Sequence, residues 1–328
     1  MLIRRTTFFS GCFAFIVVAL GAWTRLADAG LGCPDWPGCY GFTTLPINPE
    51  EIDLANSRFP DSPYELAKAI PEVVHRYFAA TLGLFILSIA TVVKLDSSYK
   101  LNIRTLSMVL LIWVLVQGAF GYLTVSLKLW PQIVSLHLLF GFITTTMLWL
   151  LYFKFVDQDA NLTDKWRFST KLRSLISFAS VLVFLQIFLG AWTSANYAAF
   201  SCTDFPFCQG KIFPKMDFFG GFNFFQDIGP NYLGGQIDLE SRTAIHFTHR
   251  IGALIVALFL SFLAWKIYKD NYKRVSLILM GLLLVQILLG VSNIIFQLPL
   301  LISVAHNLGG LSLITYLVVL RFRYQDDN

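Results

Sequence analysis

The sequence predicts an all-α integral membrane protein of eight transmembrane helices, arranged as two pseudo-symmetric four-helix bundles. Three observations carry this prediction. The chain is 56% hydrophobic and only 14% charged, where a soluble domain is about a quarter charged. Eight apolar runs of about 20 residues are each long enough to cross ~30 Å of hydrocarbon. The second half of the chain repeats the first at an offset of 169 residues.

In order, the runs fall at about 8–23, 73–93, 105–125, 133–153, 174–195, 244–265, 275–296 and 302–320. The first follows Arg4 and Arg5 and has the outline of a cleaved leader. It ends, however, in Gly21-Ala22-Trp23-Thr24, and the fifth ends in Gly190-Ala191-Trp192-Thr193. A leader would not share its end with an internal helix, so the first run is read as a retained span. Sixteen Lys and Arg residues, among them Lys100, Arg104, Lys165, Arg167, Lys273 and Arg321, fall on the side of the N-terminus, against nine on the other. This bias predicts both termini in the cytoplasm and the long loops 24–71 and 196–241 on the outer face of a bacterial inner membrane. It also accounts for the net charge of +5. The expected partner surface is the lipid bilayer, not nucleic acid.

At the 169-residue offset Cys33 meets Cys202, Cys39 meets Cys208, Leu115-Val116-Gln117 meets Leu284-Val285-Gln286, Gly121 meets Gly290, and His137 meets His306. The pairs His75-Arg76 and His249-Arg250 need an offset of 174, so the second long loop carries about five extra residues. Four crossings per copy leave both copies in one orientation, related by a pseudo-two-fold axis along the membrane normal. Residues 1–160 form one half and 161–328 the other. A bundle core is where such proteins hold cofactors.

Four of the five histidines belong to the repeat: His75 with His137, and His249 with His306. Each lies a turn or two inside the outer end of its helix. Two imidazoles at one depth across a bundle match the axial ligands of a haem. A lone helical histidine is more often a packing residue, but ionisable groups inside a membrane are costly and point to function. A second pair at matched positions strengthens the haem reading. Arg76 and Arg250 sit where haem propionates would seek a guanidinium; snorkelling to the interface is the plainer account. Ala79, Ala80, Gly83, Gly118, Gly121 and Gly141 in the first half, and Gly252, Ala253, Gly290, Gly309 and Gly310 in the second, leave thin positions. These suit a flat macrocycle or close helix packing alike.

The halves differ at Glu72, three residues before His75, whose counterpart is His246. A carboxylate there would relay protons beside a haem, or would merely be a first-turn residue favoured by the helix dipole. We read the difference as a division of labour, with chemistry in the first half and a resident electron-transfer haem in the second. His246 rivals His249 as a ligand, and the matched His-Arg pairs favour His249. Each long loop also holds two cysteines six apart, Cys33 with Cys39 and Cys202 with Cys208. In an oxidising compartment these read as disulfides, each stabilising by about 2 kcal/mol on the loop-entropy account. They serve either as staples or as redox-active pairs. Neither loop holds a histidine or further cysteine for zinc. Cys12 reads as a small apolar residue of the first span.

Thr24-Arg25-Leu26, then Gly30-Leu31-Gly32-Cys33-Pro34-Asp35-Trp36-Pro37-Gly38-Cys39, then Glu72-Val73-Val74-His75-Arg76 resemble the haem A synthase family of respiratory-oxidase assembly enzymes. The resemblance runs across all eight spans. It implies oxidation of the C8 methyl of haem o to a formyl group, giving haem a, by successive hydroxylations that use O2 and external electrons. It implies haem b as cofactor, ligated by His249 and His306, and haem o as substrate at His75 and His137, with Glu72 as essential acid. Cys33 and Cys39 match the family's loop cysteines, and Cys202 and Cys208 a second pair found in part of the family, although the second loop lacks the residues corresponding to Pro34 and Trp36. Haem o synthase, a farnesyltransferase, and oxidase assembly factors are the implied partners, together with an electron donor that no residue identifies. Two other functions fit parts of the pattern. A bis-histidine membrane b-type cytochrome explains both histidine pairs but not the Glu72 difference. A transporter suits the parallel repeat but not paired histidines at one depth.

Overall fold

The computed structural model describes residues 2–159 and 168–323. Lys165 and Arg167 of the charge count, and the boundary between the halves at 160, lie outside them. Eight long helices cover the predicted runs and overshoot most of them at their ends: α1 Leu2–Leu26, α3 Leu66–Leu95, α4 Leu101–Ser126, α5 Pro131–Asp159, α6 Thr170–Ala195, α8 Leu239–Lys269, α9 Lys273–Ile295 and α10 Leu300–Arg323. Two short helices, α2 Pro49–Arg58 and α7 Phe218–Gly221, lie in the long loops. All eight long helices are apolar and long enough to span a bilayer. Their outward faces carry residues such as Leu115 and Leu258, 67% and 65% exposed, a surface suited to lipid and not to water.

Local signals explain where the elements begin. Asn48 accepts the Glu51 amide while the Glu51 carboxylate returns to the Asn48 amide. This reciprocal cap, with Pro49 at the first position, starts α2. Ser169 caps α6 through the Leu172 amide, and Asp238 caps α8 through the Ser241 amide at 2.7 Å.

Helices α1, α3, α4 and α5 pack around one another, and α6, α8, α9 and α10 do the same. Each group has its own apolar core. In the first it is built from Ala14, Leu82, Ile86, Ile89, Leu110, Leu148 and Leu151. In the second it comes from Leu172, Ile176, Leu260, Leu263, Leu279, Leu283 and Leu317. Both cores lie toward the helix ends away from the cysteine loops. The groups meet through α5 and α10, flanked by α5 on α6 and α10 on α1. Two contacts cross this seam between residues 169 apart. The Thr146 and Thr315 hydroxyls are hydrogen-bonded at 3.0 Å, and Arg25 donates to the Ser194 carbonyl. Residues equivalent under the repeat can touch each other only where the axis relating the copies passes between them.

The second long loop breaks this symmetry. Its segment 224–232 crosses to the first group, where the Trp130 indole donates to the Gln226 carbonyl at 3.1 Å and the Gln132 amide to the Phe224 carbonyl at 3.1 Å. The Tyr232 amide donates to the Lys128 carbonyl at 3.0 Å. This segment thus forms a strap over the turn between α4 and α5.

Candidate functional site

The four repeated histidines stand near the loop ends of α3, α5, α8 and α10, beyond the apolar cores. Each keeps some accessible surface although its helix packs among others. His75 and His137 face one another, their ring centroids 6.5 Å apart and their planes perpendicular. Two metal–imidazole bonds of about 2 Å, with the two half-rings behind them, span about 6 Å. The gap therefore accepts one iron between two ring nitrogens. The Nδ1 atoms of both rings are buried without a partner, a costly state for a polar atom. Among the described residues no three His, Cys, Asp or Glu side chains converge. A pair with no third protein donor suits an ion whose equatorial ligands come from a macrocycle. His249 and His306 are electrostatic neighbours in the second group.

Every one of the four rings rests against a glycine of an adjacent helix. A Cβ on Gly21 would stand 2.9 Å from Cε1 of His75, on Gly121 3.3 Å from that of His137, on Gly190 3.1 Å from that of His249, and on Gly290 3.0 Å from that of His306. The other thin positions divide. Gly83 and Gly118 face open space. Gly141, Gly252 and Gly309 instead receive the side chains of Gln117, Gln186 and Gln286. Sequence reasoning missed these glutamines as site residues. The spacing Gln-x-x-x-Gly, at Gln117–Gly121, Gln186–Gly190 and Gln286–Gly290, was the signal available.

Above the histidines lie two closed loops, Cys33–Cys39 and Cys202–Cys208, both disulfide-bonded. Their backbones match. Each has a cis X-Pro bond, Trp36–Pro37 and Phe205–Pro206, and each turns back through a bridge, Cys39 to Phe42 and Cys208 to Lys211. Asp35 accepts the amides of Tyr40 and Gly41, and Asp204 those of Gln209 and Gly210. The Gly210 amide, aided by that of Gln209, holds the Asp204 carboxyl below the usual carboxylate range.

Arg76 and Arg250 fasten these loops to the helices. Arg76 donates to the carbonyls of Asp35 at 2.8 Å, of Cys33 at 3.4 Å, and of Gly38. Arg250 donates to those of Asp204 at 3.0 Å, Phe207 at 2.7 Å and Cys202 at 2.7 Å. Beneath them the loops differ. Glu72, 4% exposed, accepts the Cys33 amide at 2.9 Å and pairs with Arg76 at 2.5 Å. His246, also buried, accepts from Nε of Arg250 at 3.3 Å through its Nε2. His246 is thereby engaged with the arginine at the position that Glu72 fills in the other half.

A family model described as COX15-CtaA, cytochrome oxidase assembly protein, matches residues 4–318. The heme A synthase of Shewanella oneidensis is 41% identical over 315 residues, covering 94% of this chain and 93% of that protein. The heme A synthase of Wolbachia sp. subsp. Brugia malayi is 28% identical over 312 residues, 89% of this chain and 88% of its own. That of Rhizobium rhizogenes is 26% identical over 323 residues, 90% and 83% respectively.

Proposed function

Because the chain belongs to the COX15-CtaA family of cytochrome oxidase assembly proteins, we propose that it is a haem A synthase, an oxidoreductase that converts the C8 methyl of haem o to the formyl group of haem a. The observation that carries this reading is the facing pair His75 and His137, with a gap of one iron's width, beside the buried Glu72 that its second-half counterpart lacks.

Residues 1–160 form the substrate half and 161–328 the cofactor half. In the first, His75 and His137 orient haem o by its iron. Oxidation of the methyl C–H bond with O2 and external electrons would require one of the two imidazoles to give up its place, since an iron held by both has no position left for O2. Glu72 is the acid of the site. Its carboxylate is held by the Cys33 amide and Arg76, so a proton taken up there is exchanged against a fixed pair of donors. In the second half His249 and His306 hold haem b as the electron-transfer group. Arg76 and Arg250 stand at the loop edge of the two haem sites, where they meet propionates while keeping the loops shut. The disulfide loops exclude water from above. The charge bias puts these loops on the outer face of the inner membrane and both termini in the cytoplasm. Haem o arrives from a farnesyltransferase, haem o synthase.

Haem extraction and chromatography of the purified protein, produced with and without a source of haem o, tests the reading. Haem a that forms only when haem o is supplied supports it. Haem b alone, unchanged by added haem o, identifies a membrane cytochrome that only carries electrons.

A further inference from the structure

The four histidines rest on four glycines, and the residue one turn before each glycine differs in a way the repeat makes plain. It is Gln117 facing His137, Gln186 facing His249, Gln286 facing His306, and Val17 facing His75. The glutamines do unequal work. Gln117 donates to the His137 main-chain carbonyl at 3.0 Å and leaves the ring Nδ1 without a partner. The Gln286 amide reaches only to 3.4 Å from Nε2 of His306. Gln186 holds its histidine at two points: its amide lies 2.9 Å from Nδ1 of His249 and donates to the His249 carbonyl at 2.8 Å.

This contact needs a second residue. A Cβ at position 252 would stand 2.2 Å from Oε1 of Gln186, so a larger residue there would displace the glutamine from this pose. At the matching place in the first half stands Phe78, whose ring stacks on Phe13 with centroids 5.3 Å apart. Val17 with Phe78, and Gln186 with Gly252, are thus two alternative fillings of one space. Only the second sets a side-chain amide against the ring; in the first the ring meets the Val17 main chain.

We propose that Gln186, admitted by Gly252, is the positioning residue that fixes the His249 imidazole for its haem, a side-chain contact that Val17 with Phe78 does not offer His75, whose ring meets the Val17 main-chain carbonyl instead. The proposal rests on the reading that the second half holds haem b. Engaging Nδ1 settles which nitrogen is left for the metal, namely Nε2. A terminal amide suits this task because it offers a donor and an acceptor. Its nitrogen satisfies Nδ1 while Nε2 carries the proton. Its oxygen satisfies Nδ1–H once a metal has taken Nε2, after a turn about the soft terminal torsion. The asymmetry also matches the two tasks. A resident haem needs an imidazole that stays, whereas a substrate haem must enter and leave.

The test is potentiometric titration and electron paramagnetic resonance of the second-half haem in the full-length protein carrying Gln186→Glu, Gln186→Leu or Gln117→Leu. A carboxylate accepts more strongly from Nδ1–H and makes the ligand more basic, so Gln186→Glu is expected to shift the midpoint potential to more negative values. Gln186→Leu, which removes the acceptor, is expected to shift it to more positive values and to let carbon monoxide bind the reduced haem. Gln117→Leu is expected to leave both readouts as in the parent. Shifts of one sign for both Gln186 variants, or none, at undiminished haem b content would overturn the proposal. Gln186→Glu is close to isosteric and keeps the test decisive if the leucine variant fails to load haem. Haem b content is measured in His249→Ala in parallel. Undiminished haem b there would show that the second-half reading itself is wrong, a result distinct from a failure of Gln186.

Discussion

Arg76 donates to the carbonyls of Cys33, Asp35 and Gly38, and Arg250 to those of Cys202, Asp204 and Phe207. The two cysteine loops are superposable in their bonding although their sequences share little beyond Cys, Asp and Pro. Underneath, the amide of Cys33 in the first loop meets a carboxylate, whereas the arginine that holds the second loop meets an imidazole. The comparison teaches that closure and chemistry are separate parts. A guanidinium fork reading three backbone carbonyls needs no side-chain identity in the loop, so the loop sequence was free to drift while the residue below it changed. Beside the histidines the halves differ at three matched positions described above: Glu72 for His246, Val17 for Gln186, and Phe78 for Gly252.

The sharpest test of the division between halves is to remove one histidine from each. His75→Ala is expected to reduce haem a to background while haem b stays bound. His249→Ala is expected to remove haem b. Chromatography of extracted haem reads both, and loss of haem b from His75→Ala would break the division. The next effect is at the residue beneath the loop. Glu72→Gln keeps the shape and removes the acid, and turnover is expected to fall by about 10²-fold or more, measured as haem a formed per protein. His246→Gln is expected to leave turnover close to that of the parent. Equal losses would mean that both residues serve only closure.

Smaller effects separate closure from chemistry. Arg250→Lys keeps the charge but cannot reach three carbonyls, and is expected to cost about 2–3 kcal/mol of stability, seen as a lower melting temperature in detergent. Opening either disulfide by a Cys→Ser pair is expected to cost about 2 kcal/mol. The first pair should also lower turnover, because the Cys33 amide that holds Glu72 moves with it. Smallest of all, Thr146→Val removes one buried hydroxyl pair at the seam, and about 1 kcal/mol is expected. A double-mutant cycle with Thr315→Val checks that the two hydroxyls count as one contact.

Much of this was legible in the chain because the repeat supplied an internal control. Eight spans, the four histidines and both cysteine pairs each occur where the copy demands them. The glutamines were visible as letters but not as partners, since Gln186 and Gly252 meet across 66 residues and a helical glycine reads equally well as a packing position. The task of Arg76 and Arg250 was hidden for another reason. Their partners are main-chain carbonyls, which every residue has, so no motif records them. The strap was hidden because segment 224–232 has neither period nor cap and takes its conformation from the turn it crosses.

That strap has a consequence for the chain as an object. Bonds from Trp130, Gln132 and Lys128 to segment 224–232 bridge the same seam that Thr146 and Thr315 close from within. The seam is therefore latched at its loop end and at its middle without help from the chain segment between Asp159 and Phe168. If that segment were cut, the fragments would still hold together and purify as one. Continuity of the polypeptide then governs stoichiometry, one of each half per molecule, and the latch governs attachment.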